Sequence, residues 1–427
     1  MEEFFIIGGN RLQGEVEIDS AKNSLLPLIA CCILIEGQVR LEQAVAYSDV
    51  KAMCKIIEHL GGKTWWEGGD LVVDCLALTA DDVPNELASC VRASIFCLGP
   101  ILARNGSVKI AYPGGCDIGL RPIDLHLEGA RKLGAKVVEK NGYIYASKQK
   151  MEGVDIILSF ASVGATENLV MLALAAKGTT RIFGAAKEPE IVDLANFINK
   201  AGGNVKGAGS DVIVIEGGKK LHGISYKPIP DRIEAGTFLI AGAMCGGEIA
   251  VKGAKEEHNR ELFAKLSKTA CQIRCENDTI ILSRKQKLKS FGEIETGVYP
   301  AFPTDLQSQM TALACVCEGY SLIIENVFEA RNKHICGLKK LGGELISKNG
   351  IIIAKGKEKL FGAQVSATDL RGGAALVLAG LVSEGYTTVD NIHYIDRGYY
   401  KLEDKFSALG GIVKRVKSEK KEGNCMG

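Results

Sequence analysis

The feature that most limits what this chain can fold into is a pattern that recurs six times along its 427 residues. Each copy has the end of a helix, a pair of small residues, and then two short strands around a turn, as in LGGELISKNGIIIAK. The copies are marked by Leu60, Leu133, Ala201, Thr269, Leu341 and Leu409, which lie 73, 68, 68, 72 and 68 residues apart. Repeats of this length are single supersecondary units that bury their apolar faces against their neighbours. The spacing therefore predicts an array of six equivalent units.

A second recurring phrase shows that these units mix helices with strands. It has a helix of small apolar residues, a glycine and a strand, as in MLALAAKGTTRIFG and VLAGLVSEGYTTVDN. A glycine just past a helix supplies the left-handed conformation that ends it. The strands are short and alternate between apolar and polar residues, and the dipeptides Asn141-Gly142 and Asn349-Gly350 are typical of hairpin turns. The pattern predicts an α/β protein.

Six units divide most simply as three plus three, with a break at KPIPD, residues 227–231. Two prolines in three residues resist both a helix and a central strand. An active site would be expected in a cleft between the two halves. The repeat alone leaves an enzyme and a pure binding scaffold equally open, because repeat arrays often only bind.

Composition excludes several other classes of protein. Basic and acidic residues balance at 52 and 51, and no basic stripe with interleaved aromatic residues is present, so we expect no nucleic-acid partner. No signal peptide and no apolar run of about 18 residues is seen, which predicts no membrane contact. The 14 cysteines form no C-x-x-C pair, so we expect free thiols in the cytoplasm, no metal and no cofactor. The sequence does not indicate an oligomeric state.

The loop YPGGCDIGLRP, residues 112–122, is the first candidate for chemistry. Its cysteine, Cys116, lies among glycines and prolines, whereas many of the others lie in apolar runs. A loop with several glycines can move as a lid does. Arg121, five residues on, would favour the thiolate and bind an anion. The alternative is a tight turn around a small buried cysteine.

Arginine is the next signal, because its planar fork binds phosphate and carboxylate through two hydrogen bonds at once. The candidates are Arg92, Arg121, Arg331, Arg371 and Arg397. For Arg371 and Arg397 the alternative is an ion pair with an aspartate within two residues. Lys22 and Asn23 precede the first apolar helix, where a helix start beside a lysine can bind an anion. There the alternative is an ordinary helix cap by Ser20.

Asp305 is a candidate acid or base in the segment PAFPTDLQ. Thr304 followed by Gln307 has the spacing of a capping box at a helix start. An aspartate in the first turn of a helix can simply favour the helix dipole. Local sequence alone favours that structural role for Asp305.

Six segments together resemble the UDP-N-acetylglucosamine enolpyruvyl transferases, a branch of the enolpyruvyl transferase family. They are GGCDIGLRPIDLH, SVGATEN, EPEIVDLANF, PDRIEAGTF, PAFPTDLQ and ATDLRGGAALVLAG, and the resemblance runs from IIGGNRLQGEVEIDSAKN almost to the C-terminus. It implies two inside-out α/β barrel domains of three βαβαββ units each, residues 21–229 and residues 1–20 with 230–427. The related shikimate-phosphate enzymes share the fold but lack the cysteine loop as a family feature.

The resemblance also implies the reaction and the residues that carry it. The enolpyruvyl group of phosphoenolpyruvate would move to the 3′-hydroxyl of UDP-N-acetylglucosamine by addition and elimination, with release of phosphate. This is the first committed step of peptidoglycan synthesis. Cys116 would be the general acid and Asp305 the general base, with Lys22 and Arg397 also catalytic. The phosphoenolpyruvate site would comprise Lys22, Asn23, Cys116, Arg121, Arg331, Arg371 and Arg397. The nucleotide-sugar site would comprise Asn23, Arg92, Arg121, Pro122, Ile123, Asp124, Leu125, Ser162, Val163, Gly164, Asp305 and Val327.

One position departs from the pattern of some relatives. They carry a lysine two residues before the serine of SVGAT, and this chain has Phe160 there. A contact to the nucleotide phosphates would then be missing or supplied by another side chain. A non-catalytic relative of the family is the remaining alternative. The presence of Lys22, Cys116, Asp305 and Arg397 together argues against it, because a binding protein needs neither an acid nor a base.

Overall fold

The computed structural model describes residues 2–114, 118–119 and 121–417, and these form two compact units. The first unit contains the chain up to Ile18, the chain from Asp231 onward, and the short segment with Ile118 and Gly119. The second unit contains the rest of residues 19–230. The units differ from the predicted domains by two residues at the first boundary and one at the second, and by the segment with Ile118 and Gly119.

The strands are short, as the alternating pattern predicts. In chain order they are β1 (Glu2–Ile7), β2 (Leu12–Glu17), β3 (Ile35–Glu36), β4 (Gln38–Leu41), β5 (Lys63–Glu67), β6 (Asp70–Asp74), β7 (Asp82–Val83), β8 (Ser107–Ala111), β9 (Ala135–Lys140), β10 (Tyr143–Lys148), β11 (Asp155–Ile157), β12 (Thr179–Phe183), β13 (Val205–Lys206), β14 (Val212–Glu216), β15 (Leu221–His222), β16 (Ser225–Tyr226), β17 (Gly247–Lys252), β18 (Gln272–Glu276), β19 (Thr279–Arg284), β20 (Glu293–Glu295), β21 (Tyr320–Ile324), β22 (Glu344–Lys348), β23 (Ile351–Lys355), β24 (Leu360–Phe361), β25 (Gln364–Ser366), β26 (Ser383–Glu384), β27 (Tyr386–Asp390) and β28 (Ile412–Lys417).

The helices alternate with these strands. They are α1 (Lys22–Cys31), α2 (Ser48–His59), α3 (Asn85–Ala88), α4 (Leu98–Asn105), α5 (Asp124–Lys132), α6 (Val163–Ala173), α7 (Pro189–Lys200), α8 (Arg232–Cys245), α9 (Arg260–Leu266), α10 (Gln307–Ala314), α11 (His334–Lys340), α12 (Leu370–Val382) and α13 (Leu402–Ala408). Short 3-10 helices lie at Cys32–Leu34, Arg92–Cys97, Glu256–His258, Ser267–Thr269, Thr304–Leu306 and Ile392–Arg397.

Within the described residues the strands form six four-stranded sheets, which is what a six-fold repeat predicts. The sheet β11-β12-β14-β13 represents the pattern: its first two strands are parallel, and the next two pairings are antiparallel. Helix α6 connects β11 to β12, and α7 connects β12 to the hairpin of β13 and β14. The predicted α/β fold of repeated βαβαββ units is confirmed.

In each unit a strand from a distant part of the chain completes a sheet that other segments begin. Strand β2 lies parallel to β17, and β1 lies between β27 and β28, antiparallel to both. Both N-terminal strands therefore belong to the first unit. In the second unit the last strand, β16, lies parallel to β4 and fills the same place in its sheet. Neither of the two compact units can therefore assemble all its sheets from consecutive repeats alone.

Helices of small residues form the centre of each unit. In the first unit α8, α10 and α12 pack on one another and are buried along almost their whole length. In the second unit α1 and α6 are buried in the same way. The sheets cover these helices with one face and leave the other to solvent. No helix in the described part of the chain is both long and apolar enough to cross a membrane.

The two predicted hairpin turns are confirmed. Asn141 joins β9 to β10 and Asn349 joins β22 to β23, with φ of 53° and 51°. The glycine after each asparagine has φ of 77°. Two successive residues with positive φ form the turn whose twist matches that of the paired strands, and the Asn-Gly sequence favours it.

Candidate active site

Lys22 is the first residue of α1, and its amine is held by a carboxylate of the same unit. Its Nζ lies 3.2 Å from Oδ2 of Asp49 on α2, and both side chains are largely buried. Asn23 follows as the second residue of the helix. The residue before the helix is Ala21, and no side chain caps it, so the alternative of a cap by Ser20 is wrong.

Arg92 joins the two ends of the glycine-rich loop. Its guanidinium donates to the carbonyl oxygen of Pro113 at 3.3 Å and to the carbonyl oxygen of Arg121. Burial, and next the charge of Arg121, lower the pKa of Arg92 to about 10. The side chain therefore stays charged at neutral pH and closes the base of the loop. Cys116 lies inside this loop and outside the described residues.

Ile118, within the glycine-rich loop, makes one backbone hydrogen bond to a distant segment of the chain. The backbone N–H of Ala330 donates to the carbonyl oxygen of Ile118 at 3.1 Å. Gly119 follows with φ of 126°, a conformation that favours glycine. A short part of the cysteine loop therefore packs with residues of the first unit.

A cavity of about 330 Å³ lies beside Arg92 in the second unit. Its lining includes five residues that the sequence predicts for the nucleotide sugar: Arg92, Arg121, Pro122, Ile123 and Asp124. The last residue of the predicted run 121–125, Leu125, packs against the core of the unit. The structure adds a polar wall that sequence reasoning missed, in which the Tyr112 hydroxyl donates to Glu139 and Arg131 lies 3.5 Å from the same carboxylate. No spacing along the chain reveals this wall, because strand pairing brings Glu139 to the loop.

The predicted residues Ser162, Val163 and Gly164 form the start of α6. The Ser162 hydroxyl caps the helix by accepting from the N–H of Ala165 at 3.3 Å. The first N–H groups of a helix have no partner within it and carry the positive end of its dipole, so they favour an anion. Phe160 is 52% exposed just before this turn. The turn therefore offers backbone N–H groups to an anion, and position 160 adds no lysine beside them.

Asp305 lies in the first unit between two buried arginines. Its Oδ1 is 2.8 Å from Nη1 of Arg331, and its Oδ2 accepts from Nε and Nη2 of Arg371 at 3.3 and 3.0 Å. The arginines are 6% and 2% exposed. The structure thus brings together three residues that the sequence singles out. Arg331 follows Asp305 by 26 residues in the chain, and Arg371 follows it by 66.

The predicted capping box at Thr304 and Gln307 is wrong. The segment starts as a 3-10 turn, and no side chain caps it. The Thr304 hydroxyl instead donates to Glu325 at 2.9 Å and accepts from Arg331 at 3.0 Å. Asp305 is consequently held by long-range contacts and is more than a helix-dipole residue.

Glu325 is an organising residue that sequence reasoning missed. Its Oε1 accepts from the hydroxyl of Thr296 and from the backbone N–H groups of Val327 and Phe328, at 3.0, 2.9 and 3.0 Å. Its other oxygen holds Thr304. One buried carboxylate therefore positions both the predicted Val327 and the turn that carries Asp305. A glutamate at the end of an apolar strand is the only sequence signal for it.

The alternative of a local ion pair does not hold for Arg371. Asp369 caps α12 by accepting from the backbone N–H groups of Arg371 and Gly372, which leaves the arginine side chain to Asp305. The aspartate beside Arg397 is also engaged elsewhere, because Asp396 accepts two hydrogen bonds from Arg415. Arg397 ends the 3-10 helix Ile392–Arg397 and is partly exposed.

Two buried donors beside Asp305 have no hydrogen-bond partner within the described chain. They are Nε of Arg331 and Nη1 of Arg371. A buried charged donor without a partner is costly unless a ligand or water completes it. The arrangement can therefore bind an additional anion next to the Asp305 carboxylate. Among the described residues no group of three or more His, Cys, Asp or Glu side chains is arranged to hold a metal ion.

Comparison with known proteins assigns the family. The family model for EPSP synthase (3-phosphoshikimate 1-carboxyvinyltransferase) matches residues 6–406. The chain is 45% identical over 416 residues to UDP-N-acetylglucosamine 1-carboxyvinyltransferase 2 of Caldanaerobacter subterraneus, covering 97% of this chain and all of the relative. It is 44% identical over 418 residues to the enzyme of the same name from Carboxydothermus hydrogenoformans, covering 97% and 100%.

Solved structures agree on the fold. The enolpyruvyl transferase NikO from Streptomyces tendae superposes with a TM-score of 0.87 at 23% identity, over 97% of this chain and 99% of that one. An EPSP synthase from Acinetobacter baumannii superposes with a TM-score of 0.75 at 16% identity, over 98% and 100%. With a family model over most of its length and relatives this similar, the chain belongs to the enolpyruvyl transferase family.

Proposed function

We propose that this protein transfers the enolpyruvyl group of phosphoenolpyruvate to the 3′-hydroxyl of UDP-N-acetylglucosamine and releases phosphate. The observation that carries this is the 44–46% identity, over 95–97% of the chain, to enzymes named for that transfer. We place the reaction in the cytoplasm, where it would supply the first committed step of peptidoglycan synthesis.

The second unit would bind the nucleotide sugar. The cavity beside Arg92 is lined by five of the predicted residues, and the start of α6 offers backbone N–H groups to a diphosphate. Asn23, Leu125, Asp305 and Val327 are the remaining predicted contacts. Lys22, Arg121 and Arg397 would hold the phosphate of phosphoenolpyruvate and stabilise the charge that develops on it.

Asp305 would take the proton from the sugar hydroxyl as its oxygen adds to C2 of phosphoenolpyruvate, while Cys116 delivers a proton to C3. The tetrahedral adduct then loses a proton from C3 and its phosphate, which leaves the enol ether. The unpartnered Nε of Arg331 and Nη1 of Arg371 support a place for the substrate carboxylate beside Asp305. Nη1 of Arg331 and Nε and Nη2 of Arg371 hold the Asp305 carboxylate in place.

Phosphate release tests the proposal. The protein is incubated with phosphoenolpyruvate alone, with added UDP-N-acetylglucosamine, and with added shikimate 3-phosphate. We expect release only with the nucleotide sugar. Release with shikimate 3-phosphate would assign the activity named in the family model instead, and release with neither acceptor would contradict a transferase role.

The role of Cys116 has its own test. The epoxide phosphonate fosfomycin mimics phosphoenolpyruvate and should alkylate Cys116, as peptide mass spectrometry can show. Cys90 is exposed and lies in the same unit, so Cys90→Ser is the matched control and should leave labelling and turnover unchanged. An adduct on Cys90, or full activity in Cys116→Ser, would remove the cysteine from the mechanism.

The proposed acid also predicts a pH profile. A general acid must carry its proton, and a free cysteine has a pKa of about 8.5. The turnover rate should therefore fall as pH rises toward that value. A rate that is flat from neutral to strongly alkaline pH would argue against Cys116 as the acid.

A further inference from the structure

A buried histidine faces the start of α6, the turn at which the proposed function places the diphosphate. His126 lies on α5 and is 6% exposed. A side-chain carbon at position 164 would lie 3.3 Å from Cε1 and 3.4 Å from Nε2 of its ring. Glycine at 164 therefore allows the imidazole to reach the first turn of the helix.

The other ring nitrogen of His126 is held by Asn168. Asn168 is 2% exposed, and its Oδ1 accepts from the backbone N–H of Gly99 at 2.8 Å. Its Nδ2 lies 2.7 Å from the carbonyl oxygen of Ile95 and 3.1 Å from Nδ1 of His126. A backbone donor on one side and a backbone acceptor on the other fix the orientation of the amide. The group that faces Nδ1 is thus an NH₂ donor, and Nδ1 must be the acceptor.

The remaining proton of a neutral imidazole then lies on Nε2. Burial, followed by the charge of Arg92, lowers the pKa of His126 to about 3, so the ring is neutral at physiological pH. Within the described residues Nε2 has no hydrogen-bond partner, and it is not among the fully buried atoms, so it is accessible at the edge of the ring. A side chain more than nine-tenths buried thus presents one unpartnered N–H beside the anion-favouring end of an eleven-residue helix.

We propose that Asn168 is a positioning residue, which holds His126 as an Nε2–H donor to the diphosphate of the nucleotide sugar. This inference rests on the proposed function. It also accounts for the missing lysine at Phe160, because a neutral donor from the neighbouring helix supplies the phosphate contact. A neutral donor adds directional hydrogen bonding without the desolvation cost of a buried cation.

The first unit contains the equivalent histidine in a different setting. His334 lies seven residues before the marker Leu341, as His126 lies seven before Leu133. It also packs at the start of the next central helix, where a side-chain carbon at Gly372 would be 3.1 Å from its Cβ. That helix is capped by the carboxylate of Asp369, whereas α6 is capped by the hydroxyl of Ser162. A carboxylate of the protein therefore lies at the start of the helix in the first unit, whereas a neutral hydroxyl lies there in the second.

The variant Asn168→Asp tests the positioning role with little change in size. Asp can still accept from the N–H of Gly99, but its second oxygen would accept from Nδ1 of His126 and would no longer donate to the carbonyl oxygen of Ile95. The ring proton then moves to Nδ1, and a lone pair on Nε2 faces the diphosphate. We expect the dissociation constant of UDP, measured by calorimetry, to rise about tenfold or more. The dissociation constant of uridine, which has no phosphate, should change less than about twofold.

Two further measurements separate positioning from mere support of the fold. His126→Gln keeps an N–H donor and should bind UDP better than His126→Leu does. In the unaltered protein, ¹⁵N spectra should show the Nε2–H tautomer, and UDP but not uridine should shift that nitrogen. These are binding measurements, so they stand even if the phosphate-release assay fails. Equal losses for uridine and UDP, unchanged UDP binding in His126→Leu, or an Nδ1–H tautomer would each overturn the proposal.

Discussion

Arg371 donates from both Nε and Nη2 to one oxygen of Asp305, at 3.3 and 3.0 Å. Arg371 is 2% exposed and its guanidinium also stacks over the ring of Tyr399, 5.4 Å from the centroid. The arginine therefore cannot turn away from the carboxylate without losing both contacts. The relationship keeps Asp305 in one orientation, which a positioned base requires.

Asp305→Asn should lower both activity and stability. The amide cannot accept a proton, and it leaves the buried charges of Arg331 and Arg371 without the carboxylate that contacts both. We expect turnover to fall by about 10²- to 10⁴-fold and the free energy of unfolding by about 2–4 kcal/mol. Phosphate release and urea unfolding followed by circular dichroism measure the two effects.

The matched control for this variant is Asp155→Asn. Asp155 also pairs with an arginine, Arg181, at 3.3 Å, but both side chains are more than half exposed. An exposed ion pair contributes little, so stability should change by less than about 1 kcal/mol. Equal losses in the two variants would contradict the role given to the buried pair.

Arg92→Lys should weaken binding of the nucleotide sugar. A lysine is one point charge and cannot bridge the carbonyl oxygens of Pro113 and Arg121 as the guanidinium does. We expect the KM for UDP-N-acetylglucosamine to rise about tenfold.

Arg104 offers a close control, because it bridges the carbonyl oxygens of Ile33 and Leu76 away from the cavity. Arg104→Lys should leave that KM unchanged, and a similar rise in both variants would mean general loosening of the unit.

Glu167 should make the second unit less stable as pH rises. Burial, and next the carboxylates of Glu190 and Glu188, raise the pKa of Glu167 well above 4.5, the ordinary value of a glutamate. Between its unfolded and folded pKa values the folded state holds a proton that the unfolded state has released. The contribution of Glu167 to the free energy of unfolding is therefore fully present below pH 4.5. It declines above that pH by about 1.4 kcal/mol for each pH unit, until the folded pKa is reached.

Glu167→Gln removes this titration and should flatten the decline of unfolding free energy that begins above pH 4.5. Both tryptophans of the chain, Trp65 and Trp66, lie in the second unit, so their fluorescence reports its unfolding in urea. Glu152→Gln alters an exposed carboxylate held by Lys150 and should keep the slope of the unaltered protein. A slope that persists in Glu167→Gln would show that another group titrates.

The repeated fold could be predicted because its signals are local. The glycine-ended helices and the Asn-Gly turns lie within one unit, and the structure confirms a sheet for each of the six copies. The placement of β1 between β27 and β28 joins residues 379 to 415 positions apart. No local pattern encodes that pairing, since any alternating strand could fill the place.

The candidate site shows the same limit. Residue type pointed to Asp305 and Arg371, but only the fold brings them together across 66 residues. The capping box failed because Thr304 has a better partner in Glu325, 21 residues away. The wall of Tyr112, Arg131 and Glu139, and the His126–Asn168 pair, were missed for a related reason. These side chains meet only because different helices and strands pack together, and no spacing within a single helix or strand indicates the contacts.

Phe160→Lys should strengthen binding of the nucleotide sugar. Phe160 is 52% exposed two residues before Ser162, so a lysine can be accommodated there without loss of core packing. A cation near the first turn of α6 adds Coulomb attraction to a diphosphate, and salt screens that attraction at the surface. We expect the KM for UDP-N-acetylglucosamine to fall about three- to tenfold at low ionic strength, and less at 0.5 M salt.

Phe361→Lys changes an equally exposed phenylalanine of the first unit and should leave the KM unaltered. If His126 supplies the contact that the lysine makes in other relatives, then Phe160→Lys should also restore part of the UDP affinity lost in His126→Leu. A lysine that helps neither protein would place the diphosphate away from this turn.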